Sequence, residues 1–575
     1  MRILFLTHAF NSLAQRLYVE LAARGHEVSI EIDVNDRVTE EAARLFDPEL
    51  VVAPFLKRAI PESVWRNRRC IVIHPGIVGD RGPSSLDWAV QDGAKEWGVT
   101  ALEAVAEMDA GPVWASVGFP MRPAAKGSLY RNEVAEAAVK AMLATLGRMQ
   151  NPSFRPQPLD DSRPEVRGRL RPLMRQADRA IDWLRDGAAT VLAKIHAADG
   201  VPGVLDEIRG VPVYLHDAHP EDAVRGARPG DVIARRDGAI LRATVDGAVW
   251  IGHLRRKIDG EPTLKLPATM VLAEQLEGVS EAPATLWDES AARSYRELRY
   301  EEADGVGYVY FEFYNGAMST RQCERLAEAI RFAKSRPTRV IALMGGPDFW
   351  SNGIHLGVIE ASPTPADESW ANINAIDDVA REILTCDRHL TVAAMRGNAG
   401  AGGVFLALAA DRVLARRGVV LNPHYKGMGN LYGSEYWTYL LPRRVGLARA
   451  AEITGNRLPI GAPQAAALGL IDEAVGDDVP GFVAHAVAAA QRLGHDPGYD
   501  SLLARKRATR AADEAAKPLA TYRAEELERM KLNFYGFDPS YHVARYHFVF
   551  KVPKSRTPLY LAKHRAGARP ARATA

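Results

Sequence analysis

Short apolar runs alternate with amphipathic segments along the first part of the chain. Segments with helical periodicity, such as SLAQRLYVELAARG, separate the apolar runs. Alternation of this kind predicts β and α units that build a parallel sheet, and such sheets bind ligands beyond their strand ends. The predicted strands lie at residues 3–6, 28–32, 50–55 and 70–74. We place this α/β unit at residues 1–160.

The pattern changes in the middle of the chain. Residues 151–170 are rich in Pro, Arg and Asp and lack apolar periodicity, so we predict a connecting segment there. A helix-like stretch then reaches His196, and the β-type runs VPVYL and AILRATVDGAVWIGHL follow with glycine-containing turns. Residues 161–280 are therefore predicted to form a small, β-barrel-like (OB-like) domain.

Alternating β and α patterns return in the second half. The strand candidates are VGYVYFEF, RVIALMG, LTVAAMRG and RVLARRGVVLN, and helical segments such as SWANINAIDDVAREILTC separate them. We place a second α/β domain at residues 281–490 and C-terminal helices with a tail at 491–575. The final string HRAGARPARATA is predicted to be solvated and disordered by its composition. The chain as a whole is predicted to be an α/β multidomain protein.

Composition excludes several classes of function. The net charge is +2, with 47% hydrophobic and 25% charged residues, so no global field attracts nucleic acid or a membrane surface. The cysteines Cys70, Cys323 and Cys386 are far apart and form no CxxC pattern, so we expect neither disulfides nor a metal site. The start MRILFL predicts a buried strand and not a signal peptide, and we expect a cytoplasmic protein without a membrane span.

A histidine and an aspartate define the first candidate site. His74 ends the predicted strand CIVIH, and Asp109 follows in the segment EWGVTALEAVAEMDAGPVW. Such a pair suits passage of a formyl group, because an imidazole can donate to the tetrahedral oxygen while a carboxylate holds a water or a proton. Either residue alone is more simply a packed histidine or a turn residue. Their occurrence together favours the catalytic interpretation.

The same region resembles the formyltetrahydrofolate-dependent transferases, whose motifs are Asn-x-His-Pro, Arg-Gly-x-x-Pro, Gly-Val-Thr and Asp-x-Gly-Pro. The resemblance implies a Rossmann-like formyltransferase domain followed by that family's C-terminal domain, with His74 and Asp109 catalytic. It also implies contacts of N10-formyltetrahydrofolate with Arg81, Gly82, Ser84, Ser85 and Thr100. One departure is Val72, where the family has an Asn that would bond the formyl oxygen. Its loss disfavours transfer to an amine and favours a better nucleophile, such as a thiol.

Two glycine-rich turns define the second candidate site. They lie in MGGPDFWSNGIHL (344–356) and AAMRGNAGAGGVFLALAADRVLA (393–415), and ITGNRLPIGAPQAAALGLIDEAV (453–475) follows. These segments resemble the crotonase, or enoyl-CoA hydratase/isomerase, family. The resemblance implies that the N–H groups of Ile354 and Gly402 bind a thioester oxygen. Glycine permits that close approach, and a helix N-terminus adds partial positive charge.

The glutamates that hydratases of this family use are missing. Phe405 stands where the first would be, and His424 and Tyr425 lie near the second, so we do not expect addition of water to an enoyl-CoA. The loop NPHYKGMGNLYGSEYW carries Tyr425 and Glu435 instead. A phenol and a carboxylate near an oxyanion hole could move a proton. A packed tyrosine and a surface glutamate are the simpler alternative.

The two halves together resemble a family of NiFe-hydrogenase maturation factors along essentially the whole chain. The resemblance implies that a formyl group passes from N10-formyltetrahydrofolate to coenzyme A, and that formyl-CoA then releases carbon monoxide. Coenzyme A needs cationic and polar partners. The candidates are Gln15, Arg16, Arg131, Gly353 and Gly403, with C-terminal Arg and Lys positions.

Two other functions are compatible with the sequence. The chain could be a formyltransferase for an amine acceptor with a regulatory acyl-CoA-binding half, or a non-catalytic scaffold in hydrogenase assembly. We expect small-molecule partners and the hydrogenase maturation machinery, with no nucleic acid and no membrane. We also expect a monomer, because the N-terminal half would block the surface through which crotonase relatives form trimers.

Overall fold

A six-stranded sheet forms the centre of the first unit. The computed structural model describes residues 1–287 and 292–566. The elements of this unit are β1 (Arg2–Thr7), α1 (Ser12–Ala23), β2 (Glu27–Ile32), α2 (Asp36–Phe46), β3 (Leu50–Phe55), α3 (Glu62–Trp65), β4 (Cys70–His74), α4 (Ser85–Gln91), β5 (Glu96–Glu103), β6 (Val113–Pro120), α5 (Lys126–Leu129) and α6 (Ala135–Met149). The strand order is β2-β1-β3-β4-β5-β6. The first four strands are parallel as predicted, whereas β5 and β6 run antiparallel.

Local sequence signals set the helix starts of this unit. Asn11 accepts a hydrogen bond from Ala14 N at 3.0 Å before α1, and Asn35 accepts from Val38 N at 3.0 Å before α2. Both are N-caps that satisfy an otherwise unpaired backbone donor. The helices thus begin directly after the carboxyl ends of β1 and β2, and β4 ends at His74 on the same edge of the sheet.

An antiparallel sheet forms the second unit. Its elements are α7 (Ala188–Ala197), β7 (Val204–Ile208), β8 (Val211–Glu221), β9 (Val232–Arg236), β10 (Ala239–Ala243), β11 (Ala248–Arg256), β12 (Lys265–Pro267) and α8 (Ala268–Val271). The strand order is β7-β8-β11-β10-β9, with β12 paired to β11. Helix α7 covers a core that includes Val191 and Ile195 on its buried face.

The third unit contains a six-stranded sheet and a small four-stranded sheet. Its elements are β13 (Leu298–Ala303), β14 (Val306–Phe311), α9 (Thr320–Ser335), β15 (Val340–Leu343), β16 (Phe349–Ser351), α10 (Leu356–Ala361), α11 (Pro365–Leu384), β17 (Leu390–Met395), β18 (Asn398–Gly400), α12 (Gly402–Leu408), β19 (Arg412–Arg416), β20 (Val420–Asn422), α13 (Trp437–Val445), α14 (Leu447–Asn456), β21 (Ile460–Gly461), α15 (Ala462–Ala467), β22 (Glu473–Val475) and α16 (Val479–Gly494). The orders are β13-β14-β15-β17-β19-β22 and β16-β18-β20-β21. These three units confirm the predicted α/β multidomain fold class. The predicted residue limits of the domains stay predictions.

Three helices follow the third unit and return the chain to the first. They are α17 (Tyr499–Ala516), α18 (Leu519–Tyr535) and α19 (Ser540–Val549). In the two described ranges, no helix combines the length and the apolar character that crossing a bilayer requires. Helix α18 packs against α11 and α13, so part of this C-terminal segment belongs to the core of the third unit.

Residues 557–566, here called the C-terminal strap, cover the exposed edge of the first sheet. Ile30 N in β2 donates to Leu561 O at 3.0 Å. Glu31 is fully buried, and its Oε2 lies 2.9 Å from His564 Nε2 and 2.8 Å from Arg565 Nη2. The prediction of a solvated tail is therefore wrong for His564 and Arg565, because the buried Glu31 carboxylate binds both side chains, whereas Ala566 is exposed. The rest of that tail, 567–575, lies outside the described residues.

Arg565→Met should lower the free energy of unfolding of the first unit by about 3 kcal/mol, because it leaves the buried Glu31 carboxylate short of a charged partner. Lys563→Met is the matched control, since Lys563 is exposed two positions away. Thermal unfolding followed by circular dichroism, with hydrogen exchange at the β2 amides, measures the difference. Equal melting temperatures for the two variants would contradict a structural role of the strap.

An ion pair and two hydrogen bonds also join the first and third units. Glu136 on α6 accepts from Arg16 at 2.8 Å and from Arg416 on β19 at 3.0 Å. Asp348, in the turn before β16, accepts from Ser128 Oγ at 2.6 Å and from Asn132 Nδ2 at 3.0 Å. The two halves that carry the candidate sites are thus joined by paired, largely buried polar groups. Such pairs are stable only in a specific geometry, so they fix how the two halves pack.

Candidate active sites

His74 lies between two carboxylates at the end of β4. Its Nε2 is 2.9 Å from Asp80 Oδ2, and its Nδ1 is 3.5 Å from Asp109 Oδ1. Asp109 adopts a left-handed backbone (φ 58°), and its Oδ2 accepts from Gly82 N at 3.4 Å. The structure therefore brings together the two residues that the sequence paired, although 35 positions separate them.

The surroundings of His74 favour its protonated form. Burial by itself would lower the pKa of His74, but the hydrogen bond to Asp80 and the charge of Asp109 together raise it. An imidazolium that two carboxylates hold in place can donate to an oxygen on which negative charge develops. This arrangement is suited to a tetrahedral intermediate of formyl transfer.

Asp80 was not predicted from the sequence. It is 2% exposed, and its place beside His74 depends on the turn at Gly76, where a Cβ would lie 2.4 Å from His74 Nε2. The predicted connecting segment contributes as well, because Gly168 N donates to Val78 O at 3.0 Å. A Cβ on Gly168 would lie 1.8 Å from Asp80 N. Residues that looked like a linker thus form a wall of the first site.

The residues predicted to contact the folate take different positions around this turn. The hydroxyls of Ser85 and Thr100 donate to Pro75 O and Gly76 O, each at 2.8 Å, and so support the backbone that follows His74. The remaining contacts are those of Ser84 Oγ with Met174 N at 3.1 Å, and of Arg81 with Glu107 at 2.8 Å and Asp161 at 3.1 Å. Direct contact of these side chains with a folate stays a prediction.

The two glycine-rich turns of the third unit meet at the start of α12. Gly353 has a left-handed backbone (φ 80°), and a Cβ there would lie 3.5 Å from Gly402 N. Ala401, which lies between the end of β18 and the start of α12, also has positive φ (49°). The N–H group of Gly402 and the segment that carries Ile354 therefore lie side by side, as a two-donor oxyanion hole requires.

Tyr425 and Glu435 form a buried pair against this turn. Tyr425 Oη donates to Glu435 Oε2 at 2.5 Å, and the ring stacks on Phe405 with centroids 5.5 Å apart. Glu435 is 1% exposed, and a Cβ added to Gly402 would lie 2.0 Å from its Oε1. The carboxyl group therefore occupies space that only a glycine leaves free. The alternative prediction, that Glu435 lies on the surface, is therefore wrong.

Burial raises the pKa of Glu435 to about 8, with the nearby Asp377 carboxylate as a further cause. Burial also holds the pKa of Tyr425 well above its usual value, and the charge of Glu435 adds to that effect. A carboxyl group poised near neutrality beside a phenol can accept and return a proton. The pair thus has the geometry and the electrostatics that a general acid–base couple requires.

Three predicted coenzyme A contacts lie where the first and third units meet. Gln15 Oε1 accepts from Asn422 Nδ2 at 2.9 Å. Arg131 pairs with Asp348 at 3.3 Å and lies over the ring of Phe349 at 4.6 Å. Arg16 is 8% exposed and is bound by Glu136, so its charge is already paired at the junction, and its contact with coenzyme A stays a prediction.

The other predicted coenzyme A contacts differ in accessibility. Gly403 is buried against β16, because a Cβ there would lie 2.0 Å from Ser351 O, whereas Gly353 borders the oxyanion turn. Among the C-terminal cations, Lys551 lies near Lys265, and burial lowers the pKa of Lys265 to about 8. In the described residues no group of three or more His, Cys, Asp or Glu could hold a metal ion.

Known families match the units just described. A formyl transferase model matches residues 31–146, a formyl transferase C-terminal domain model matches 173–265, and an enoyl-CoA hydratase/isomerase model matches 302–535. Methionyl-tRNA formyltransferase from Stenotrophomonas maltophilia is 25% identical over 42% of this chain and 78% of its own length. Fold and family matches thus define a formyl transferase-like half fused to an enoyl-CoA hydratase/isomerase-like half.

Full-length relatives share this fusion. The hydrogenase maturation factor HoxX from Bradyrhizobium diazoefficiens is 54% identical over 100% of this chain and 99% of its own length. The crystal structure of HypX from Aquifex aeolicus in complex with tetrahydrofolic acid has a TM-score of 0.95 and 50% identity, covering 98% of this chain and 99% of that one. The chain belongs to the family of hydrogenase maturation factors HoxX and HypX.

Proposed function

We propose that this protein makes carbon monoxide from N10-formyltetrahydrofolate for NiFe-hydrogenase maturation, with formyl-CoA as the intermediate. HoxX carries the name of a hydrogenase maturation factor, and HypX was crystallised with tetrahydrofolic acid. A formyl transferase half and a thioester-binding half on one chain support a relay of the formyl group. The hydrogenase maturation machinery would receive the product.

Formyl transfer is the first step and takes place at His74. The thiol sulfur of coenzyme A attacks the formyl carbon, the carbon–nitrogen bond breaks, and the thiol proton ends on N10 of tetrahydrofolate. Asp80 holds the ring of His74 through Nε2 at 2.9 Å, and Nδ1, whose contact with Asp109 is longer at 3.5 Å, donates to the oxygen of the tetrahedral intermediate. Val72 offers no amide donor to the formyl oxygen, which suits a sulfur nucleophile better than an amine.

Decarbonylation of formyl-CoA is the second step and takes place at Glu435. The carboxylate takes the proton from the formyl carbon, the carbon–sulfur bond breaks with its electron pair going to sulfur, and carbon monoxide leaves. Tyr425, which donates to Glu435 at 2.5 Å, relays the proton to the sulfur and so regenerates the thiol. The N–H groups of Ile354 and Gly402 hold the carbonyl oxygen during the step.

The observation that carries this proposal is the position of Glu435, buried against Gly402 and bonded to Tyr425. This position supports an acid–base role for Glu435 and Tyr425 beside a bound thioester carbonyl. The positions of Gln15 and Arg131 at the junction, with Lys551 near Lys265, support a coenzyme A molecule shared by the two halves. Cationic and amide side chains are suited to its phosphates and its amides.

The test is to incubate the purified protein with N10-formyltetrahydrofolate, with and without coenzyme A, and to detect carbon monoxide by the spectral shift of reduced haemoglobin. We expect carbon monoxide only when coenzyme A is present, and also from formyl-CoA alone. A formylated amine as product would favour the amine formyltransferase. Absence of turnover with either substrate would favour the scaffold.

A further inference from the structure

The turn that carries Glu435 has an unusual backbone. Glu435 and Tyr436 are consecutive non-glycine residues with left-handed φ values of 60° and 58°. Each such residue costs about 1–2 kcal/mol relative to the right-handed region, so the surrounding structure must hold the turn in place. The side chain of Glu435 reaches Gly402 only because its backbone takes this path.

Two carboxylates from separate helices bind the N–H groups of this turn. Asp377 on α11 accepts from Glu435 N at 2.7 Å and from Ser434 Oγ at 2.8 Å. Glu526 on α18 accepts from Tyr436 N at 3.0 Å and from Thr438 N at 2.8 Å. These donors include the first N–H groups of α13, so Glu526 caps that helix from another part of the chain.

The clamp brings two further acidic side chains close to Glu435. Asp377 and Glu526 are both fully buried, and Arg523 is the nearby cation, with its Nε 3.5 Å from Asp377 Oδ2. Burial raises the pKa of Asp377 to about 6 and that of Glu526 to about 8. Cys323, whose thiol is held neutral by burial and by the charge of Glu435, faces the group from α9. A purely structural clamp would not need charges that oppose one another.

We propose that Asp377 and Glu526 are positioning residues for the reaction at Glu435, which they hold against Gly402 through the backbone of residues 434–438. This inference rests on the proposed function of Glu435 in decarbonylation. Asp377 also adds the negative charge that makes the Glu435 carboxylate a stronger base. Neither residue touches the substrate in this assignment.

Two variants of Asp377 separate its hydrogen bond to Glu435 N from its negative charge. Asp377→Ala removes the hydrogen bond and the charge, and it should lower kcat for carbon monoxide release from formyl-CoA by about 100-fold, with KM changed less than about threefold. Asp377→Asn keeps an oxygen that accepts from Glu435 N, so its kcat should stay within about fivefold of the wild type. Its rate should rise at lower pH than in the wild type, because burial still raises the pKa of Glu435 but the further increase from the Asp377 charge is gone.

Further variants cover the second carboxylate and the controls. Glu526→Ala should also lower kcat, by about 30-fold, because the N–H groups of Tyr436 and Thr438 lose their acceptor. Glu528→Gln, an exposed carboxylate on the same helix, should match the wild type. Formyl transfer from N10-formyltetrahydrofolate, measured in each preparation, reports that the protein is folded.

Two results would overturn the positioning role of Asp377. One is a wild-type kcat in Asp377→Ala, and the other is an equal loss of kcat in both Asp377 variants with an unshifted pH profile. If Asp377→Ala does not fold, the pH profile of Asp377→Asn alone decides. Retention of carbon monoxide release in Glu435→Gln would instead refute the proposed function, so the two failures are distinguishable.

Discussion

Glu435→Gln should reduce carbon monoxide release by about 1000-fold and cause formyl-CoA to accumulate, because an amide cannot take the formyl proton. The first step should proceed at its normal rate, since His74 lies in another unit. Tyr425→Phe should cost less, about 10- to 100-fold, because it removes the relay but leaves the base. The measurement is simultaneous detection of carbon monoxide by haemoglobin and of formyl-CoA by liquid chromatography.

The same carboxylate should control the pH dependence of the second step. Burial, reinforced by Asp377, raises the pKa of Glu435 to about 8, and only the ionised form can accept the proton. The rate should therefore rise with pH up to about 8 and level off above it. Glu452→Gln, an exposed carboxylate paired with Arg449 at 2.7 Å, serves as the control and should keep the wild-type profile. Full activity in Glu435→Gln would refute the assignment.

His74→Ala should show the opposite behaviour. Formyl transfer from N10-formyltetrahydrofolate to coenzyme A should fall by about 1000-fold, because the donor to the tetrahedral oxygen is lost. Carbon monoxide release from added formyl-CoA should be unchanged, since Glu435 and Tyr425 are intact. Asp80→Asn should give an intermediate loss, because the amide still contacts the ring but no longer favours its protonated form.

The two variants together test the relay itself. A mixture of His74→Ala and Glu435→Gln should regain carbon monoxide formation only as fast as formyl-CoA diffuses between molecules. His495→Ala, an exposed histidine far along the chain, is the control for the first variant. Equal loss of both partial reactions in His74→Ala would show instead that the substitution disturbs the fold.

The sequence predicted those features of the sites that local motifs encode. The strand end at His74, the glycine turns at Gly353 and Gly402, and the Tyr425–Glu435 loop all depend on turn geometry or close approach, which constrain residue type strongly. Their assembly into two compact sites follows from the fold class. The strands β5 and β6 were not predicted, because EWGVTALE and VWASVGFP are not continuous apolar runs like those that predicted the first four strands.

The supporting residues could not be predicted in the same way. Asp377 lies 58 positions before Glu435 and Glu526 lies 90 positions after Tyr436, each on a charged, amphipathic helix. On such a helix a carboxylate usually faces solvent, so nothing local distinguishes these two. The role of Asp80 could not be predicted for a related reason. Its position beside His74 depends on residues 151–170, which pack against it. Only the long-range packing of the folded chain identifies Asp377, Glu526 and Asp80.

The strap that covers β2 also has a consequence for biosynthesis. Glu31 and Arg565 are 534 positions apart, so at about 5–20 residues per second the ribosome needs about 30–100 seconds to supply the partner. During that time the nascent first unit presents an open strand edge and an uncompensated carboxylate. The first sheet is therefore completed only when the C-terminal strap has been synthesised. Prematurely terminated products would keep an open sheet edge and would be degraded more readily by proteases.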